Sequence, residues 1–106
     1  MIYELRTYHM YPGKLQAIHD RFSQHTLRFF AKHGMKVVDF WEDADPESNR
    51  IYYLMEFEDK ETRDRSWDQF RADPEWVKVK DETEVPEPIV EKVESTFMQR
   101  VSYWGR

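Results

Sequence analysis

The sequence contains no cysteine, which removes disulfides, thiolate metal sites and cysteine nucleophiles from consideration and fits a reducing compartment. Its three glycines are widely separated, so it carries neither a phosphate-cradling loop nor a dinucleotide-binding fingerprint. No apolar run approaches the roughly 18 residues of a membrane-spanning helix. The N-terminus enters a strand without a charged leader and apolar run, so the expectation is a cytoplasmic protein with no membrane partner. Net charge is −5, with Lys and Arg interspersed among acids; no basic stripe exists, and the long-range field repels nucleic acid. The four histidines lack the paired spacing of a helical metal site. The acidic stretch Asp81 to Glu87 lacks the alternating ligands and central glycine of a calcium loop. Neither a metal nor a cofactor is expected.

What the chain has in quantity is aromatic side chains, 16% of its residues, each able to bury about 150 to 250 Å². With 106 residues it is sized for one domain, residues 1–106, around one core. Histidine, carboxylate, arginine and tyrosine must carry any chemistry.

Tyr3 to Tyr8 reads as a strand, in which Glu4, Arg6 and Tyr8 share one face and Tyr3, Leu5 and Thr7 the other. Pro12-Gly13 is turn chemistry. Leu15, Ile18, Phe22, His25 and Phe29 then recur at helical spacing, predicting a helix from Gly13 to His33 that ends on a left-handed cap at Gly34. Lys36 to Glu42 and Arg50 to Glu58 read as a hairpin of strands apolar on both faces, joined by Asp43 to Asn49. Asp59 caps a predicted helix over Lys60 to Ala72 that turns Trp67 and Phe70 inward, and Asp73-Pro74 starts a shorter one carrying Trp76. Glu82 to Pro88 is a loop, and alternation predicts a last strand over Val90 to Val101, followed by Tyr103 and Trp104.

The order strand, helix, strand, strand, helix, strand is that of a ferredoxin-like α+β fold: a four-stranded antiparallel sheet with helices on one face. Strands apolar on both faces need a second cover, and a second copy of the chain is the simplest one, so a homodimer is expected.

Tyr3-Glu4-Leu5-Arg6-Thr7-Tyr8, Pro12-Gly13-Lys14, His33-Gly34, Phe40-Trp41, Asn49-Arg50 and Ala72-Asp73-Pro74-Glu75-Trp76, in this order, resemble the NIPSNAP family of the dimeric α+β barrel superfamily. The resemblance covers nearly the whole chain. It implies a protomer whose sheet packs on that of a partner to form a barrel, in a superfamily that includes small monooxygenases, haem-degrading enzymes, cyclases and isomerases. It attaches no general activity to NIPSNAP proteins. The haem-degrading members use an asparagine, a tryptophan and a histidine; the only asparagine here, Asn49, falls in a hairpin loop, which argues against that reaction.

Glu4 and Arg6 are the leading candidates for a site. They form either a structural ion pair, or a pair in which Arg6 holds an anionic group and Glu4 orients it or accepts a proton, with Tyr8 adding a hydroxyl. His25, on the predicted inward stripe, is either a hydrogen-bonded core residue or a proton-transfer group above the strands. Trp41, Tyr53 and Met55 are either pocket walls or ordinary core and interface. The function expected from these residues is binding of a small, partly apolar, anionic molecule, with cofactor-free acid-base chemistry. The alternatives are a non-enzymatic interaction protein that uses its aromatic surface, and a cofactor-free monooxygenase.

Overall fold

The computed structural model describes residues 1–105. Strand β1 (Ile2–Met10) leads to a continuous helical rod built of α1 (Leu15–Arg21), a π turn (Phe22–Thr26) and α2 (Leu27–Lys32). Strands β2 (Lys36–Glu42) and β3 (Arg50–Phe57) follow, then α3 (Lys60–Ala72), α4 (Pro74–Thr83) and β4 (Val90–Met98). All pairings are antiparallel and the sheet order is β2-β3-β1-β4, the ferredoxin-like order expected of this chain.

The helix boundaries follow capping chemistry. The Asp59 carboxylate accepts from the Thr62 N–H at 2.7 Å, and that of Asp73 accepts from Glu75 N–H at 2.9 Å with Pro74 at the first helical position. At the end of the rod Gly34 adopts φ +66°, with Gly34 N–H bonded to Ala31 and Met35 N–H to Phe30, a Schellman motif that satisfies the last carbonyls. The core lies between the helices and one sheet face, where Ile51, Tyr53, Met55 and Phe57 of β3 meet Ile18, Phe29, Phe30, Trp67 and Phe70.

Strand β2 lies at the sheet edge, and its Val38 and Trp41 are exposed. Two expectations need correction. The last strand stops at Met98 instead of Val101. The rod is no plain α-helix: Leu27 N–H bonds the Phe22 carbonyl, five residues back, and the Thr26 hydroxyl donates to the Arg21 carbonyl at 3.3 Å. That wider turn takes up one extra residue, so the inward stripe passes from Phe22 to Thr26, which is buried, and not to His25.

Candidate functional site

Alternation along β1 turns Glu4, Arg6 and Tyr8 toward the helices, and the register sets Met55, Tyr53 and Ile51 beside them on β3 and Phe97, Ser95 and Val93 on β4. Glu4 is wholly buried and accepts five hydrogen bonds. Oε1 takes Arg63 Nε at 2.9 Å and Trp67 Nε1 at 3.0 Å; Oε2 takes Arg63 Nη2 at 2.6 Å, Ser95 Oγ at 2.7 Å and Arg6 Nη1 at 3.0 Å. Burial alone would raise its pKa. The bonds from Arg63 and Ser95 and the charge of Arg6 overcome that and hold the carboxyl at about 2.

Arg6 is 7% exposed. Its Nε donates to the Tyr53 hydroxyl at 2.8 Å, its Nη1 reaches Glu4 and Ser95, and its guanidinium carbon lies 4.2 Å from the centre of the Trp67 ring. Burial disfavours its charge, but the facing phenols and Glu4 more than restore it, so its pKa lies above the ordinary guanidinium value. The Tyr53 hydroxyl is 3.0 Å from that of Tyr8. Burial, and then the nearby Tyr8 phenol, push Tyr53 well above the ordinary phenol range, which keeps it a neutral hydroxyl.

Arg6 lines a cleft of about 330 Å³ between α3, α4 and the β1/β4 side of the sheet. Tyr8, Trp67, Phe70 and Trp76 give the cleft flat apolar walls. Although the chain is acidic as a whole, the cleft carries five cationic side chains, Arg6, Arg21, Arg71, Lys80 and Lys92, against Glu84 and Glu91. A smaller recess of about 30 Å³ shares several of these walls and reaches Phe22 and Thr26 of the π turn. The chemistry on offer is recognition of an anion by a desolvated, held guanidinium, with the Tyr8 hydroxyl beside it and aromatic faces around it.

Of the residues singled out in the sequence, Glu4, Arg6, Tyr8 and Tyr53 meet in one network. Glu4 is not placed to take a proton from a ligand, because it is sealed, saturated with donors and strongly acidic. Met55 is buried core beside Glu4 and does not line the cleft. Trp41 pairs with Tyr52 on the opposite sheet face and is 46% exposed. His25 is half-exposed on the far side of the π turn, where its Nδ1 lies 3.4 Å from Arg28 Nη2, so the stripe argument that aimed it at the sheet fails. The network members that sequence reasoning missed are Arg63, Ser95 and Trp67. A signal for each existed: Arg63 stands four residues before Trp67 on one helix face, and Ser95 is the polar interruption in the inward row Val93, Ser95, Phe97. Among the described residues, no three His, Asp or Glu side chains gather as a metal site requires.

The sheet order, the helices on one face and the cleft above β1 define a ferredoxin-like α+β protein. More narrowly, the chain belongs to the NIPSNAP family, whose model matches residues 3–104. An uncharacterized NIPSNAP domain protein from Burkholderia xenovorans matches over 100% of both chains with 20% identity and a TM-score of 0.85. A NIPSNAP family protein with unknown function from Agrobacterium tumefaciens matches at 20% identity over 98% of this chain and 91% of its own, also at 0.85. A putative antibiotic biosynthesis monooxygenase from Nitrosomonas europaea is more distant, with 11% identity over 95% and 99% and a TM-score of 0.64. Among curated proteins there is no match. No helix among the described residues is long and apolar enough to cross a membrane.

Proposed function

We propose that the protein is a cytoplasmic homodimer that binds a small, partly apolar anion in the cleft, with Arg6 as the residue that grips the anionic group and Tyr8 as a neighbouring hydroxyl donor. The observation that carries this reading is that Arg6, 7% exposed and fixed by Glu4, Tyr53 and Ser95, forms part of the wall of an aromatic-lined cleft. A purely structural ion pair would have no need of that place on the cleft wall. Any proton transfer to a bound ligand falls to the Tyr8 hydroxyl and needs no cofactor, since Glu4 is saturated and His25 lies elsewhere. The likeness to monooxygenases, at 10% and 11% identity, is a likeness of fold and carries no reaction to this chain.

Support for the homodimer comes from the sheet face away from the helices. Tyr3, Leu5, Tyr52 and Leu54 are half-buried there, Trp41 is exposed, and an apolar hollow of about 310 Å³ lies among Tyr3, Leu54, Met98 and Trp104. Isologous pairing of two such faces covers them at once. The binding test is calorimetric titration with straight-chain monocarboxylates from butyrate to octanoate. Arg6→Lys should weaken binding about ten- to a hundred-fold, the range of a charge-assisted hydrogen bond, with the protein still folded. Equal affinity in the variant, or no binding by the wild type, refutes the role given to Arg6.

A further inference from the structure

The cleft contains a second buried guanidinium that the Glu4 network does not use. Arg21 closes α1 immediately before the π turn and is 6% exposed, yet its contacts are weak ones: Nη1 lies 3.3 Å from the Thr83 hydroxyl and 3.5 Å from Glu84 Oε1. Its Nε and Nη2 donate to none of the described groups. Arg63 is the contrast within the same molecule, closed on Glu4 by a fork of two bonds at 2.9 and 2.6 Å. A guanidinium kept for structure is held as Arg63 is, whereas Nε and Nη2 of Arg21 are not sealed from solvent, and their hydrogen-bonding capacity is left to whatever occupies the cleft. Arg21 lines both the cleft and its inner recess with those donors open.

The two arginines sit at different ends. Along β1 and β4 the register runs from Arg6 beside Ser95, through Tyr8 beside Val93, to Met10 beside Val90. Glu84, the partner of Arg21, accepts from the Ile89 N–H at 2.9 Å, which ties Arg21 to the Val90 end. Three strand residues, Thr7 to His9, lie between the ends, which sets the two ends of the cleft on the order of 10 Å apart, and Tyr8 lines the cleft wall along that stretch. We infer that the cleft takes an elongated dianion, a molecule with an anionic group at each end and a flat or narrow apolar middle, Arg6 holding one end and Arg21 the other. This rests on the reading of the cleft as an anion site and narrows it to a ligand class. Glu84 then acts as the placeholder that a ligand carboxylate displaces or shares.

Calorimetric titration with the α,ω-dicarboxylates from succinate to suberate, each set beside the monocarboxylate of equal carbon number, tests this. The expected result is one chain length at which the diacid binds at least tenfold more tightly than its monoacid. Arg21→Gln should bring the diacid down to the affinity of the monoacid, Arg21→Lys should restore part of the difference, and Glu84→Gln should enlarge it. If Arg21→Gln does not fold, Arg21→Lys and Glu84→Gln decide the matter. Monoacids that bind as well as diacids at every length, or a diacid preference that survives loss of Arg21, overturn the dianion proposal and leave the Arg6 site standing. Absence of binding by both series removes the anion site and the dianion with it.

Discussion

Replacing Glu4 with glutamine keeps the shape of the side chain and removes the one negative charge that Arg6 and Arg63 share. The size of the effect follows from the acidity of the group. A carboxyl held from its ordinary 4.5 down to about 2 by the fold contributes roughly 3 kcal/mol of stability at neutral pH. That agrees with the about 3 to 5 kcal/mol lost when one partner of a buried pair is removed and the other is left uncompensated. For a domain of this size it corresponds to a fall in Tm of roughly 10 to 20 °C. The sign in pH is fixed by the same numbers. Between pH 4.5 and 2 the unfolded chain binds a proton at Glu4 that the folded chain does not, so this contribution is complete above 4.5 and disappears as pH falls toward 2. Urea unfolding of wild type and Glu4→Gln at matched protein concentration, in steps from pH 7 to pH 2.5, measures both quantities. Other acidic groups titrate in both proteins and cancel in the difference. The expected difference is about 3 kcal/mol at pH 7, shrinking through the acid range. A Glu4→Gln protein within about 1 kcal/mol of wild type, or two pH curves that run parallel below 4.5, would show that the carboxylate is not what holds the two arginines, and the account of the site would fail at its base.

Leu54→Asp places a charge on the sheet face proposed to pair with its copy and should convert a dimer to a monomer in light scattering coupled to size exclusion; an unchanged mass refutes that face as the interface. His25→Ala should leave carboxylate affinity unaltered and stability within about 0.5 kcal/mol, as expected of a surface change, and a large loss of binding would return His25 to the site. Asn49 sits at φ +56°, so Asn49→Ala should lower stability by about 1 kcal/mol while Asn49→Gly does not, as read from chemical unfolding.

The parts of the fold that were legible in the sequence are those with a local physical signature. Period-two alternation located β1 and put Glu4, Arg6 and Tyr8 on one face, and Asp59, Asp73 and Gly34 marked helix ends because their side chains, or the lack of one, complete the terminal hydrogen bonds. The π turn has no such signature: it is a choice of carbonyl, five residues back, made by packing Phe22 and Thr26 against the sheet and leaving His25 outside. One displaced residue was enough to misplace the histidine. Phe40 and Trp41 were ambiguous for a different reason. Neighbours on a strand face opposite ways, and only the pairing of Phe40 with Tyr53 and of Trp41 with Tyr52 decides which is inside. The partners of Glu4 come from β1, α3 and β4, so the site needed tertiary contact to assemble.

That assembly explains why Arg6 can serve as a binding group at all. A guanidinium in an apolar wall is costly unless something fixes it and balances its charge, and Glu4 does so from within the protein, leaving the cleft side of Arg6 open. Yet the balance is incomplete. Glu4 is one charge between two arginines, and Arg63 has a second acid, Asp64, at 3.0 Å, whereas Arg6 has only phenols and a hydroxyl besides Glu4. The shortfall is directed into the cleft, where the other cations outnumber the acids. An anion bound there supplies the missing charge in the folded state alone, so it must stabilise the fold as well as occupy the site. At a hundred times its dissociation constant it adds about 2.7 kcal/mol, and a protein in which Arg6 has become lysine should lose about half of that increment or more at the same ligand concentration.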